Sequence, residues 1–189
     1  MDSYLDISIL RDPEFPVPLM LNSLYAKLHR ALVSRQSTDI AVTFPKMTDR
    51  HLGDVLRLIG PKESLDLLIQ QSWLHGMHDH VQIGAIANVP VNAQVRTLRR
   101  EQCKSSPERQ KRRSVKRLIE REGITEAKAI LRIESATAKK LNLPFLVLNS
   151  ASTSQTFRLF LRLGLPSNRV IGGSFNAYGI SQNATTPWF

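Results

Sequence analysis

The sequence of 189 residues contains a single cysteine, Cys103. The chain can therefore form no internal disulfide and no cysteine-based zinc site. It also lacks any apolar run near the 18 residues that a membrane-spanning helix needs, and no basic leader accompanies Asp2 and Asp6 at its start. These absences predict a cytoplasmic protein. Because 42% of the residues are hydrophobic, the chain can still build the core of one large or two small domains.

The signature motifs of several functional classes are absent. The sequence contains no P-loop, no Gly-x-Gly-x-x-Gly dinucleotide fingerprint and no Gly-x-Ser-x-Gly nucleophile elbow. The Lys/Arg-Gly-Phe/Tyr signature of RNA-recognition domains is also missing, so a sheet face is not the expected RNA platform. His75, His78 and His80 lie close together in sequence but match no standard metal motif. We interpret them as surface histidines and predict no metal and no cofactor.

Acidic residues are scarce in one segment of the chain. Between Arg96 and Arg121 there are eleven Lys or Arg and three Glu, so the segment carries a formal +8 of the chain's +10. Five of these cations have the i, i+3, i+4, i+7, i+8 spacing that places them on one side of a helix, over about 12 Å. This basic stripe consists of Arg109, Arg112, Arg113, Lys116 and Arg117.

The flanking residues predict a helix over about 107–122. Ser106 can cap the first amides, Pro107 suits the first helical position, and Glu108 complements the positive end of the helix dipole. Gly123 predicts where the helix ends. Opposite the basic stripe, the helix has an apolar face with which it can dock. That face consists of Val115, Leu118 and Ile119.

Nucleic acid is the favoured partner of this helix, because clustered basic residues are the electrostatic footprint of nucleic-acid binding. A solvated surface helix is the usual interpretation of a charged helix, but the acidic counter-charges that it needs are missing here. A basic membrane-surface helix is the other alternative, although the apolar face carries no Trp or Phe. The pattern therefore predicts that the helix binds a polyanion.

Hydrophobic periodicity predicts an α+β protein. Residues 1–95 have the βαββαβ order of a ferredoxin-like domain, in which two helices cover one face of a four-stranded sheet. Residues 96–189 are expected to form a smaller α/β unit that contains the arginine-rich helix. The predicted elements are a strand at Tyr4–Ile9, a helix ending near Arg35, strands at 39–44 and 54–59, a helix through Leu65–Trp73, a strand at Val81–Ile86, a helical stretch at about 125–141, and a hairpin of strands 144–148 and 157–163.

His29 follows Leu28 on the predicted first helix, at the edge of its apolar stripe. A half-buried packing residue is the simplest interpretation, because a lone histidine is weak evidence for chemistry. Beside a polyanion site a second interpretation applies. RNA supplies its own nucleophile in the 2′-hydroxyl, so one base and one group that holds the hydroxyl in line could cut the strand without a metal.

Short motifs occur in order from one end of the chain to the other. They are Met1-Asp2, Tyr4–Ile7, Asp12–Pro16, Lys27–His29, Phe44-Pro45, Lys104-Ser105, Pro107–Arg109, Leu143–Phe145, Phe157–Phe160, Tyr178-Gly179 and Pro187–Phe189. No single motif is decisive, but the ordered set resembles the CRISPR repeat-processing endoribonucleases of type I-F systems. The resemblance implies a metal-independent enzyme that binds the stem-loop of a CRISPR repeat transcript and cuts at the 3′ base of the stem.

The same resemblance implies a 2′,3′-cyclic phosphate product and lasting attachment to the processed RNA, together with other subunits of a type I-F surveillance complex. By position, His29 matches the general base of the family, Ser150 the serine that orients the ribose, and Tyr178 the tyrosine beside the histidine. These three residues are the catalytic set that the resemblance implies.

The resemblance also implies which residues contact RNA. Arg100 and Gln102 match a pair that reads base edges near the foot of the stem. The chemistry fits, because Arg can bridge O6 and N7 of G while Gln can bridge N6 and N7 of A. Phe157 matches the aromatic residue that stacks on the terminal base pair. Lys104 and the basic stripe complete the set, so residues 96–189 are predicted to bind the RNA hairpin.

Several alternatives stay open at this point. Ser152 is a second candidate for the hydroxyl that holds the ribose, and Phe157 could be a core strand residue. Arg100 and Gln102 could contact phosphates without reading bases, and Lys116 lacks the fork geometry that bidentate base reading needs. The chain could also be a non-catalytic RNA-hairpin-binding assembly subunit. A DNA-binding module is the third alternative, because phosphate contacts do not report the identity of the sugar.

Overall fold

The computed structural model describes residues 1–102, 107–134, 142–150 and 154–189. These residues form a mixed α+β protein with antiparallel sheets. The chain divides into two compact units: the larger comprises Met1–Glu101 and Leu143–Phe189, and the smaller comprises Gln102–Asn142. None of the helices in the described ranges is both long and apolar enough to cross a membrane. The domain boundary at residue 95, between a ferredoxin-like domain and an RNA-hairpin-binding domain, stays a prediction.

The larger unit begins with a sheet and two helices. Its elements are β1 (Ser3–Ile9), α1 (Val17–Arg35), β2 (Ala41–Thr43), β3 (Val55–Gly60), α2 (Lys62–Ile69) and β4 (Val81–Ile83). The strands form an antiparallel sheet in the order β2-β3-β1-β4, and a short strand, β5 (Ala87–Asn88), also pairs with β1. The main core lies between one face of this sheet and the apolar side of α1.

The alternation of buried and half-buried residues along β1 explains how this core forms. Buried and half-buried residues alternate, so Leu5, Ile7 and Ile9 share one face of the sheet. They pack with Leu24 and Leu28 of α1 in one cluster. Burying a side chain of this size contributes about 1.5–3 kcal/mol, so the layer supplies much of the driving force for folding. α1 is thereby fixed against the sheet.

Three predicted elements are shorter in the structure than in the prediction. The helix predicted through Trp73 ends at Ile69, and Trp73 lies in a separate 3-10 helix, Ser72–Leu74. The strand predicted through Ile86 ends at Ile83. The strand predicted at 39–44 keeps only Ala41–Thr43. Asp39, which precedes it, accepts hydrogen bonds from the hydroxyls of Ser37 and Ser64.

A second antiparallel sheet packs against the same core. It contains β7 (Leu98–Glu101), β8 (Phe145–Asn149) and β9 (Thr156–Leu163), in the order β7-β9-β8. Leu146 and Leu148 are buried and alternate with exposed residues along β8. The predicted hairpin is confirmed by the register, in which Asn149 lies opposite Thr156.

The opposite face of the first sheet carries a buried cation. Arg57 is 8% exposed and donates two hydrogen bonds to Asp6, its cross-strand neighbour, at 2.7 and 2.8 Å. Its guanidinium lies 4.6 Å from the ring centroid of Tyr4 and 3.9 Å from that of Phe189. A buried charge is tolerated when it is paired and hydrogen-bonded in this way. The last strand, β10 (Thr186–Trp188), pairs nearby with β6 (Gln94–Arg96).

The smaller unit contains α3 (Pro107–Glu122) and α4 (Glu126–Glu134). The bounds of α3 agree with the predicted helix, and Gly123, with φ 59°, has the left-handed conformation that ends a helix. Val115 is buried, and Arg132 of α4 donates a hydrogen bond to the carboxylate of Glu122 at 2.6 Å. The predicted cap, Ser106, lies outside the described residues.

Candidate active site

α1 carries His29 at the border between its buried and exposed faces. The buried residues recur at helical spacing, so the helix must turn one side to the core. They are Met20, Leu21, Leu24, Tyr25, Leu28, Ala31 and Leu32. His29 directly follows Leu28 and is half-buried. The imidazole therefore reaches the surface from a helix that the core holds in place.

The tautomer of His29 follows from its hydrogen bond. Its Nδ1 lies 2.7 Å from the main-chain oxygen of Ala177. A carbonyl oxygen can only accept, so Nδ1 carries a hydrogen and donates it. In the neutral ring the lone pair then belongs to Nε2. A neutral His29 in this arrangement can accept a proton at Nε2.

Tyr178 covers one face of this imidazole. The two rings are stacked, with 4.0 Å between centroids and 3° between planes. The main-chain oxygen of Tyr178 accepts a hydrogen bond from the hydroxyl of Tyr25 at 2.7 Å. Burial raises the pKa of Tyr25, so this hydroxyl keeps its proton and remains a donor at neutral pH. Tyr25 lies one helical turn before His29. Helix α1 therefore carries both the histidine and the hydroxyl that holds Tyr178 beside it.

Residues 176–180 form a tight turn organised by Asn176. The side-chain oxygen of Asn176 accepts hydrogen bonds from the main-chain N–H groups of Tyr178 and Ile180, at 2.9 and 3.3 Å. A bond from an Asn side chain to the main chain two residues later is typical of an Asx turn. The turn directs the carbonyl of Ala177 towards His29.

Gly179 allows this turn to approach β2 closely. Its main-chain oxygen accepts a hydrogen bond from the N–H of Val42 at 2.7 Å, and its φ is 67°. A Cβ at position 179 would collide with Cγ2 of Val42. Only glycine combines this φ with this approach at no steric cost. The position of Tyr178 therefore depends on its glycine neighbour.

The β8–β9 hairpin places Ser150 and Phe157. Ser150 directly follows β8. Its main-chain N–H donates to the main-chain oxygen of Gln155 at 2.9 Å, and its main-chain oxygen accepts a hydrogen bond from the N–H of Ser154 at 2.9 Å. Phe157, on β9, is half-buried and packs against the core. Ser152, the second candidate for holding the ribose, lies outside the described residues.

One cavity of about 860 Å³ brings four predicted residues together. His29, Ser150, Tyr178 and Phe157 all line it, although they are far apart in sequence. Helix α1 forms one wall, and the end of β8 forms another. The volume lies within the usual range of ligand pockets. Residues that carry an imidazole, a hydroxyl and aromatic rings therefore line the same space.

The remaining predicted RNA contacts are distributed over the two units. Arg100 lies on β7, and its guanidinium carbon is 5.7 Å from the ring centroid of Phe157. The candidates for base reading and base stacking are thus neighbours on one sheet. Gln102 belongs to the smaller unit. Lys104 lies outside the described residues.

The basic stripe lies on the exposed side of α3. Its members with described side chains, Arg112, Arg113, Lys116 and Arg117, are all exposed, whereas Val115 on the opposite side is buried. This confirms the predicted separation of charged and apolar faces. Arg109 lies in α3, but its side chain is not among those described. Such an exposed row of cations can contact successive phosphates.

The three neighbouring histidines do not form a metal site in the described structure. His78–His80 is a short 3-10 helix, and β4 begins only at Val81. Nδ1 of His80 lies 3.5 Å from a carboxylate oxygen of Asp12. Within the described ranges, no group of three or more His, Cys, Asp or Glu is arranged to hold a metal ion.

Three residues that build the site were missed in the sequence. Ala177 contributes only its carbonyl, which every residue possesses. Tyr25 resembled an ordinary core residue of the first helix, and Asn176 an ordinary polar loop residue. The sequence pair Tyr178-Gly179 predicted a turn at this position. It did not predict that the turn would lie against His29.

Known proteins similar to this chain identify its family. The model of the family described as CRISPR-associated protein (Cas_Csy4) matches residues 4–189. The chain is 41% identical over 191 residues to the CRISPR-associated endonuclease Cas6/Csy4 of Pseudomonas aeruginosa (strain UCBPP-PA14), and 40% identical over 189 residues to that of Escherichia coli (strain UTI89 / UPEC). Each alignment covers 100% of both chains, and both relatives are named endonucleases. The chain therefore belongs to the Cas_Csy4 family of CRISPR-associated proteins, as the resemblance in its sequence predicted.

Proposed function

We propose that this member of the Cas_Csy4 family is a metal-independent endoribonuclease that matures CRISPR RNA. It binds the stem-loop of the repeat in the precursor transcript, cuts at the 3′ base of the stem and remains bound to the product. The observation that carries the proposal is the bond from Nδ1 of His29 to Ala177, which leaves Nε2 as a base in a cavity shared with Ser150. The full-length relatives named as endonucleases support it.

In the proposed reaction, Nε2 of His29 takes the proton of the 2′-hydroxyl, and the 2′ oxygen attacks the adjacent phosphorus. The bond from phosphorus to the 5′ oxygen breaks, and the departing oxygen takes up a proton. The products are a 2′,3′-cyclic phosphate and a 5′-hydroxyl. Ser150 holds the ribose so that the attacking and leaving oxygens are in line, and Tyr178 keeps the imidazole oriented.

RNA binding is assigned to residues 96–189. Phe157 stacks on the last base pair, while Arg100 and Gln102 read base edges at the foot of the stem. Lys104 and the basic stripe contact phosphates. Each neutralised phosphate releases counterions, so the stripe supplies affinity and product retention. The retained RNA and the other subunits of a type I-F surveillance complex are the proposed partners, in the cytoplasm.

We also assign residues 1–95 to the ferredoxin-like class. The βαββαβ order and the antiparallel β2-β3-β1-β4 sheet support this assignment, as does the packing of α1 and α2 residues with the sheet in one core. This domain supplies His29, while Ser150 and Tyr178 come from the second part of the chain.

Cleavage of repeat RNA in excess chelator tests the proposal. We expect one cut at the 3′ base of the stem, a cyclic phosphate end, and no cut when the scissile nucleotide carries a 2′-deoxy substitution. Cutting of the deoxy RNA, or loss of cutting in chelator, would overturn the mechanism. Tight binding without any cleavage would instead support the alternative, a non-catalytic RNA-hairpin-binding assembly subunit in which His29 only packs.

A further inference from the structure

Strand β8, which leads into Ser150, is an edge strand within the described sheets, because β9 is its one strand neighbour there. An edge strand leaves main-chain N–H groups without a partner strand. The N–H of Val147 donates instead to the side-chain oxygen of Asn22, at 2.9 Å. Asn22 belongs to α1. This bond therefore joins the helix that carries His29 directly to the strand that leads into Ser150.

Each end of this bond lies a short distance along the chain from a residue of the candidate site. Asn22 precedes His29 by seven residues, which is about 10.5 Å of helix rise. Val147 precedes Ser150 by three residues, which is about 10 Å of extended strand. Asn22 and Val147 themselves line the cavity that His29 and Ser150 share. The bond therefore joins the helical wall that carries the histidine to the strand wall that ends at the serine.

Apolar packing also holds β8 against α1. Leu146 and Leu148 bury β8 against the core and set its depth. Hydrophobic contact is non-directional, however, whereas a hydrogen bond has a preferred geometry. A hydrogen bond to one main-chain N–H requires one register. The bond between Asn22 and Val147 thus adds a directional contact to the apolar packing of β8 against α1.

We propose that Asn22 is a positioning residue for RNA cleavage, because its bond to Val147 sets the distance between the base His29 and the ribose-holding Ser150. The inference rests on the proposed function. Asn22 acts through these residues and does not take part in the chemistry. A misplacement of about 1 Å between reacting groups can lower a rate by roughly 100-fold. Loss of the bond should therefore affect the cleavage step more than the binding of RNA.

Two substitutions of Asn22 distinguish the effect of losing the hydrogen bond from the effect of changing the shape of the side chain. Asn22→Leu removes the acceptor at similar volume, whereas Asn22→Asp keeps an acceptor oxygen. Asn183→Leu is the matched control, because Asn183 is an exposed asparagine outside the cavity. If Asn22→Leu does not fold, Asn22→Ala replaces it under the same criteria.

We expect Asn22→Leu to lower the single-turnover cleavage rate about 10- to 100-fold. Its Kd for uncleavable 2′-deoxy repeat RNA should stay within about twofold of the wild-type value, since uniform binding is not lost. Asn22→Asp should recover most of the rate, and Asn183→Leu should match the wild type. An unchanged rate in Asn22→Leu would overturn the inference, as would equal rates in the Leu and Asp variants or parallel losses of rate and affinity.

Hydrogen exchange at the Val147 amide keeps this test separate from the proposed function. The amide should exchange faster in Asn22→Leu than in the wild type, because its acceptor is gone. Unchanged exchange would overturn the positioning role even if cleavage fell. A wild-type protein that binds repeat RNA but never cuts it would contradict the proposed function, and the exchange result would still report whether the bond exists.

Discussion

The imidazole of His29 and the phenol ring of Tyr178 lie face to face, with centroids 4.0 Å apart and planes within 3° of parallel. The ring face of Tyr178 makes this contact, so its hydroxyl is not needed to orient the histidine. We expect Tyr178→Phe to keep the single-turnover rate within about threefold, and Tyr178→Leu to lose about tenfold or more. Equal losses in the two variants would assign the role to the hydroxyl instead.

His29→Ala should abolish cleavage and leave RNA affinity nearly intact. A general base contributes about 10²- to 10⁴-fold to a rate, and His29 is one of many residues proposed to surround the RNA. Single-turnover cleavage and filter binding measure the two quantities. His51→Ala is the matched control, because His51 is an exposed histidine outside the cavity. A wild-type rate in His29→Ala would remove this residue from the reaction.

Gly179→Ala should destabilise the larger unit and slow cleavage together. The substitution places a Cβ at φ 67° and against Val42, and a residue forced into such a conformation costs about 1–3 kcal/mol. Urea unfolding measures the loss. Gly172→Ala is the control, because no heavy atom lies within 4 Å of the added Cβ. If Gly179→Ala loses as little stability as Gly172→Ala, the turn tolerates a side chain and the prediction is wrong.

Tyr25 should make stability depend on pH in the alkaline range. Burial raises the pKa of Tyr25, whereas the unfolded chain releases this proton near pH 10. Above about pH 10 the unfolded state then binds fewer protons than the folded state. The free energy of unfolding should fall by up to about 1.4 kcal/mol per pH unit from this group.

Tyr25→Phe removes this titration, so its stability should fall less steeply as the pH rises. It also leaves the Tyr178 carbonyl without its donor, which should cost about 1–3 kcal/mol at neutral pH. Urea unfolding between pH 8 and pH 11 checks both effects. The other tyrosines contribute equally to both proteins, so equal slopes would contradict the prediction.

Arg113 and Arg100 should differ in how their loss changes RNA binding. Arg113→Gln should lower the slope of log affinity against log salt by about one unit, because one phosphate contact is lost. Arg100→Gln should instead change base preference at the foot of the stem. Lys62→Gln, an exposed charge change on α2, is the control. Equal slopes in Arg113→Gln and Lys62→Gln would argue against a phosphate contact.

The sequence predicted the elements whose side chains meet the core. Alternation marked β1, a helical period marked α1, and Pro107 with Gly123 marked the ends of α3. Strand β7 was missed, because its residues Leu98–Glu101 resemble a basic linker. It is a strand since it pairs with β9, and such tertiary context decides most strand formation.

The candidate site was predictable where side chains carry the chemistry. His29, Ser150, Tyr178 and Phe157 were named from the resemblance, and the structure places them around one cavity. Their catalytic and binding roles stay predictions. The carbonyl of Ala177 could not be named, because it has no side-chain signature. Asn22 could not be named either, since its partner is a main-chain N–H on a distant strand.

The bonds that orient the histidine join residues 148 and 153 positions apart, from His29 to Ala177 and from Tyr25 to Tyr178. During synthesis α1 leaves the ribosome well before the turn at 176–180. Contacts of such long sequence separation form late, because a large loop must close first. A nascent chain can therefore form the exposed basic stripe of α3 before the carbonyl of Ala177 orients the imidazole of His29.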